Sequence, residues 1–252
     1  MVGFKRQVTH TAYQTNNLNK KYYKGLTKNI GVKPRGIKKE WVSKNGNYLY
    51  LSNEYVQIKT GANAIPLVGS IICIFVLLLF SYVWYFKGSL GIMGISLFSI
   101  SIISLIFFIV YYLTMPKKEH ILNRLDGLIT FTGTFWQKNI TMTFQDVEFN
   151  YTTGNEDGTG AFILQVVRPN KIRSFDIFSF GGTNCYEDLA MITWYMDKNR
   201  PLPPGDAFDE FREQDYERRK AEGFPKPQYP SIIKTPEATK KQQEEREKIG
   251  GW

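Results

Sequence analysis

Cysteine and histidine are nearly missing from this 252-residue chain, with two of each. A structural zinc site takes four nitrogen or sulfur ligands, and Cys73, Cys185, His10 and His120 are scattered over separate regions, so no such site is expected. Ser-His-Asp and Cys-His catalysis both need a histidine beside a nucleophile. His10 lies in a stretch with no clear period and His120 follows Lys117 and Lys118; neither setting supplies a nucleophile.

The second absence is local. From Ile65 to Phe86 (IPLVGSIICIFVLLLFSYVWYF), and again from Leu90 to Met115 (LGIMGISLFSISIISLIFFIVYYLTM), there is no Asp, Glu, Lys, Arg or His. Each run exceeds the roughly 20 residues with which a helix crosses a bilayer core. Neither is amphipathic, which argues against the core of a soluble fold. Neither is read as a cleaved signal peptide, since both lie well inside the chain and residues 1–40 hold no apolar core segment. An ionisable group within them would have marked an ion or proton path, so a transporter is not expected. A two-helix transmembrane hairpin over residues 65–115 is the reading.

What the chain does have is basic charge: 32 Lys and Arg against 23 Asp and Glu, a net +9, with a pI near 9.3 and a mean hydropathy of -0.28. A hydrophobic fraction of 43 % excludes a disordered chain. A basic, soluble-looking protein would raise nucleic acid as a partner, but the distribution speaks otherwise. Residues 1–64 carry +10, Lys87 adds +1, and residues 117–252 carry -2. Lys59 precedes the first run, and Lys117, Lys118 and Arg124 follow the second, against Lys87 alone between them. Positive residues stay on the cytoplasmic side, which places both termini there. Cys73 in the bilayer and Cys185 outside it cannot pair, as suits a reducing compartment.

Tyr82, Trp84, Tyr85, Tyr111 and Tyr112 end the runs at interface positions. Gly69, Cys73, Gly91, Gly94 and Ser101 are small residues that let helix backbones approach. They are read as the packing stripe of the hairpin, with a homo-oligomer interface as the alternative. Lys117, Lys118 and Arg124 are candidate lipid-headgroup contacts, each worth on the order of 1 kcal/mol near an anionic surface.

Residues 1–40 form a basic, largely irregular arm whose nearest polyanion is the lipid bilayer; no nucleic-acid partner is expected. Residues 41–64 predict a short β element, with strands at Trp41–Val42, Tyr48–Ser52 and Val56–Lys59 broken by the turn signal Asn45-Gly46. Period-two alternation then predicts strands at His120–Leu125, Leu128–Thr132, Ile140–Phe144, Val147–Tyr151, Ala161–Arg168 and Ile172–Phe178. The glycine-rich stretch 154–160 lacks both a terminal bidentate Glu for calcium and a Gly-Lys-Ser/Thr for phosphate, and is read as a hairpin turn. Asn184 can cap a helix carrying Cys185, Leu189, Ile192 and Met196 as an apolar stripe, with Glu187 completing a capping box. Residues 117–199 therefore read as an antiparallel meander or open barrel closed by a helix. Residues 200–252 are a Pro-rich tail with two helices: one from Asp206 to about Glu222, stopped by Gly223, and one capped by Thr235 with Pro236 at its first position. The tail is read as wrapping the domain through Phe208, Phe211, Phe224 and Tyr229.

A transmembrane hairpin followed by such a meander resembles the membrane-attached bacterial proteins with a pleckstrin-homology-like (PH-like) domain. The tail RPLPPGDAFDEFREQDYERRKAEGFPKPQYPS, Arg200–Ser231, resembles a family of proteobacterial membrane proteins of unknown function associated with type VI secretion and polymorphic-toxin loci. The fold class expected is thus a membrane α-helical hairpin plus an α+β cytoplasmic domain, PH-like, with a Pro-rich helical tail. The resemblance implies a bacterial inner-membrane location and a protein partner, either a toxin or effector or a secretion component, and carries no catalytic residues. The function expected is a non-enzymatic immunity or accessory protein with no cofactor and no metal. The alternative is a general scaffold or sensor of anionic lipid surfaces.

Overall fold

The structure, a computed structural model, describes residues 6–13, 25–152, 162–169, 175–178 and 184–252. The expected turn at 154–160, residues 172–174 of the last expected strand, and Lys20, Lys21, Tyr22, Tyr23 and Lys24 of the arm lie outside the described residues. Two compact units divide the chain. One holds residues 1–59, 119–132 and 140–252; the other holds residues 60–118 and 133–139.

The first unit is built on two antiparallel meanders. Strands β1 (Tyr48–Leu51) and β2 (Tyr55–Ile58) precede β3 (His120–Asn123), β4 (Leu128–Phe131) and β5 (Ile140–Thr143) in one five-stranded sheet of order β1-β2-β3-β4-β5. β6 (Phe149–Thr152), β7 (Ile163–Val167) and β8 (Phe175–Ile177) form the second sheet in that order. The element expected at 41–64 is therefore not separate. β2 pairs directly with β3, Ile58 opposite His120, and the apolar runs are an insertion between two neighbouring strands. The strand expected at Trp41–Val42 is instead a 3-10 turn over Lys39–Trp41. The chain reverses too tightly there for a ladder: a Cβ on Gly46 would lie 2.1 Å from the Trp41 carbonyl oxygen.

Alternation puts Val56, Ile58, Leu122, Ile129, Phe131, Ile140 and Met142 into one core. Across β4 and β5 the hydroxyls of Thr130 and Thr141 meet at 2.9 Å. Edges are closed by the N-terminal arm, a standard way to block unpaired strand groups. Thr9 N donates to Thr141 O on β5 and Leu26 N to Phe149 O on β6, at 2.9 and 3.0 Å. The arm is irregular in secondary structure yet ordered over its described residues, with Ile30 and Ile37 fully buried.

Helix α3 (Cys185–Met196) packs on β3 and β7. Asn184 caps it, its side chain accepting from Tyr186 N at 3.0 Å and donating to Glu187 at 3.1 Å. The predicted stripe is half of the truth, because ten of the twelve residues are buried. Leu189, Ile192 and Met196 join the sheet core, while Ala190 and Trp194 on the opposite face are covered by Ile30 of the arm and Ile233 of the tail. Arm and tail pair with each other to do so, Ile30 N donating to Pro230 O and Ile232 N to Ile30 O.

The tail continues into α4 (Asp209–Ala221), which Gly223 ends at φ +75°, and α5 (Lys240–Gly250). Gly205 has φ +125°, and a Cβ there would stand 2.2 Å from Ile37 O, so only glycine fits this crossing of arm and tail. The cap of α5 is Thr239, in a capping box with Gln242, and not Thr235. Thr235 is buried and its hydroxyl accepts from Arg200 at 2.8 Å; with Glu237 also bound to arginines, the helix starts one turn later.

The second unit contains α1 (Ile65–Lys87) and α2 (Ile92–Thr114), packed against each other. Each has 23 residues, about 34 Å at 1.5 Å per residue, and is long and apolar enough to cross a membrane. Four of their hydroxyls are satisfied within the helices: Ser70, Ser96, Ser101 and Thr114 donate to the carbonyls four residues back at 2.6–3.0 Å. That suits a medium without water.

Candidate partner-binding cleft and the ion-paired tail

The positions singled out in the apolar runs fare differently. Gly69 is a true contact: a Cβ there would lie 2.6 Å from the Phe108 ring of α2. Cys73 and Ser101 are the buried small residues of the two helices. A Cβ on Gly94 would lie 3.3–3.5 Å from Leu90 and Phe80, and one on Gly91 would meet nothing within 4 Å, so Gly91 does not belong to the packing stripe.

Two of the three proposed headgroup cations are corrected by the structure. Arg124 is fully buried. Its Nη1 donates to Tyr195 O and, at 3.5 Å, to Trp194 O, which lie in the last turn of α3; Nη2 reaches Arg200 O at 2.6 Å and Asp215 Oδ1 at 3.3 Å. Unpaired carbonyls at a helix C-terminus attract a cation, so this arginine is held inside the fold. Lys118 is also buried, its Nζ donating to Gly133 O and Gln137 O at 2.9 and 2.6 Å. Lys117 alone is exposed.

Arg124 is one end of a buried ionic network that the sequence did not announce. Asp215 on α4 also accepts from Arg218 at 3.0 Å and Arg219 at 2.9 Å. Arg219 grips Glu237 with both Nη atoms at 2.6 and 2.8 Å, and Glu237 accepts from Arg246 of α5 at 3.1 Å. A parallel set holds the extended stretch: Arg200 binds Asp197, Thr235 and the Tyr229 carbonyl at 3.0, 2.8 and 2.6 Å. Burial pushes the Asp215 carboxyl up, but the adjacent Arg124, Arg219 and Arg218 outweigh it and hold the group below its ordinary range. From sequence, Asp209, Glu213 and Glu217 interleaved with Arg212, Arg218 and Arg219 read as a solvated helix face. The available signal was Phe208, Phe211 and Tyr216 on the same segment, which mark a buried face. Phe208 and Phe224 are buried as expected of a wrapping tail.

The network fixes the walls of a cavity of about 500 Å³. Trp194 of α3 forms one wall, its indole N–H donating to Pro201 O at 2.7 Å. Leu202 and Pro204 form another, in a loop stiffened by Arg212, which donates to the carbonyls of Leu202, Pro203 and Gly205 at 2.9–3.0 Å. Ile233, Pro236 and Ala238 complete the apolar lining, and Lys33 and Lys234 stand exposed at the rim. Val32 and Ile232, next to these residues in sequence, are 39 % and 81 % exposed. Apolar walls with a few convergent polar groups are the ordinary build of a binding site. Arg212 and Glu237 also line it, and no cysteine, histidine or serine does.

His120 and Cys185 are both buried. His120 Nε2 meets Asp176 Oδ2 at 2.9 Å and its ring stacks on Phe178 at 4.5 Å. Asp176 accepts from both Thr132 N and Thr132 Oγ1 at 2.7 Å and pairs with Arg168 at 3.1 Å, joining β8 to the first sheet. Burial raises this carboxyl, and His120, Arg168 and Thr132 together bring it below its ordinary range. Burial, reinforced by Asp188, raises the Cys185 thiol to about 11, which leaves it protonated and unreactive at neutral pH. Among the described residues no three His, Cys, Asp or Glu side chains are placed to hold a metal.

Comparison with family models, with curated proteins and with solved structures gives no match. The class of protein is therefore defined by its architecture: two helices fit to cross a membrane, inserted into a mixed α+β domain of antiparallel sheets.

Proposed function

We propose that this chain is a non-enzymatic membrane-anchored binding protein that presents a cytoplasmic, PH-like domain to a protein partner. The apolar cleft between α3 and the tail carries the reading, with Trp194, Leu202 and Ile233 in its walls and Lys33 and Lys234 at its rim. Two meanders of five and three strands closed by α3 support the PH-like assignment. That Ile58 and His120 are ladder partners supports a segment that leaves and returns on one side of a membrane. The excess of flanking Lys over the single Lys87 favours the cytoplasmic side. The tail's resemblance points to the bacterial inner membrane and to a toxin, effector or secretion component as partner, with this protein as its immunity or accessory factor.

Coexpression with the product of the adjacent toxin gene tests the proposal. Protection of the cells and co-purification from the membrane fraction are expected, both lost on Ile233→Asp or Ala238→Trp, which charge or fill the cleft. No protection and no co-purification by the wild-type chain overturns the immunity reading. Retention of both by the two variants moves the contact away from the cleft.

A further inference from the structure

The β4–β5 connection, residues 133–139, belongs to the same unit as α1 and α2. Two large aromatic side chains stand at its tip, Phe135 62 % and Trp136 44 % exposed. Phe135 has φ +42°, a conformation a bulky L-residue rarely adopts, so the local structure holds it there against its preference. The contacts that do so are all within this unit. Trp136 Nε1 donates to Thr114 Oγ1 at 2.7 Å and the Tyr111 hydroxyl to Phe135 O at 3.4 Å. The Trp136 ring stands edge-on to Tyr111 and Phe107, with centroids 5.0 and 5.7 Å away. The base of the loop is pinned by Lys118 on Gly133 O and Gln137 O, and by Asn139 Nδ2 on Lys117 O at 3.0 Å.

An exposed Phe-Trp pair has no use in water, whereas tryptophan is enriched where an apolar ring can sit at headgroup level with its N–H satisfied. These rings continue the aromatic surface of the last turns of α2, and Lys117 and Lys138 are exposed beside them. We propose that residues 133–139 form a membrane-interface anchor. Phe135 and Trp136 insert at the headgroup–acyl boundary of the leaflet in which α2 ends, and Lys138 and Lys117 meet lipid phosphate oxygens. The proposal rests on α1 and α2 crossing the bilayer, and its test separates the two ideas.

The full chain is reconstituted in vesicles of phosphatidylcholine and phosphatidylglycerol, with and without bromine on the upper acyl carbons, and compared with Trp136→Phe, which keeps an aromatic ring. Trp84 and Trp136 are the two tryptophans of the membrane unit, so the variant is expected to lose roughly half of the bromine-quenchable emission. Equal quenching in the two proteins overturns the anchor. Should Trp136→Phe fail to reconstitute, Trp84→Phe leaves Trp136 as the reporter, and complete loss of quenching there overturns the anchor as well. Release of the wild-type chain from vesicles by alkaline wash overturns the crossing itself. Retention with unchanged quenching removes the anchor alone.

Discussion

Around α4 and α5 the protein buries its charges, and in α1 and α2 it leaves its hydrocarbon uncovered. Arg124, Arg219, Asp215 and Glu237 are each less than a tenth exposed, while Phe75, Leu78, Ile103 and Leu113 are each 65 % exposed or more. Side-chain type predicts neither arrangement. What decides is whether each group finds its complement: another charge and several carbonyls in one unit, the surrounding medium in the other. A buried ion pair is not automatically stabilising against an apolar replacement, but removing one partner leaves a desolvated charge behind. Uncovered leucines cost nothing in lipid and a great deal in water.

The sharpest way to break this contrast is Arg124→Met. It strips a donor from Tyr195 O, Arg200 O and Asp215 and is expected to destabilise the first unit by about 3–5 kcal/mol, read as a lower urea midpoint by far-ultraviolet circular dichroism. In the other unit Gly69→Val must push the Phe108 ring aside and is expected to cost about 1–3 kcal/mol of helix pairing. Gly91→Ala, with open space around it, stays within about 0.5 kcal/mol; stability in mixed detergent measures both.

The next effect is pH dependence, and two groups of carboxylates give it opposite signs. Asp215 and Asp176 have lowered native values. Their contribution is full above the unfolded value near 4 and disappears as pH falls through the native ones. Asp188 is raised to about 7 by burial, with Arg35 opposing and Glu187 adding, so it withdraws stability as pH climbs from about 4 to 7 and is flat beyond. Melting curves from pH 4 to 8 should therefore show Asp188→Asn gaining on wild type with rising pH; parallel curves would place Asp188 in water. A small effect is also expected of Lys117→Gln. As the one surviving headgroup cation of the original three, it is worth on the order of 1 kcal/mol of attraction to anionic vesicles at low salt, checked by salt titration of the vesicle-bound chain.

The hairpin was legible because charge is missing over two runs of sufficient length, and β3 to β7 because alternation survives in their residues. Asn184 announced α3 by its position one residue before an apolar periodicity. Other features were not legible, for physical reasons. Membership of β1 and β2 in the main sheet depends on pairing across the whole insertion, which no local pattern records. Lys118 and Arg124 sit where topology signals sit, and flank position does not distinguish a cation left in solvent from one drawn onto carbonyls by the fold. Thr235 and Thr239 are both credible caps; Arg200 and the Glu237 network select between them. The cleft arises only when Ile233, more than thirty residues beyond Trp194, returns to its side, so its lining is invisible until arm and tail are in place.

The pairing of Ile58 with His120 has a kinetic consequence. During synthesis β2 emerges long before its partner, with Val56 and Ile58 lacking their cover. Joining the two ends of so long a free segment carries an entropic penalty that grows with its length, and the pairing of α1 with α2 offsets part of it. The sheet can zip only after α2 has been made and the chain has returned to β2. Closure of β2 on β3 thus waits on the synthesis of the whole insertion, and a chain stalled before α2 would display an unpaired strand edge, the feature that invites aggregation and degradation.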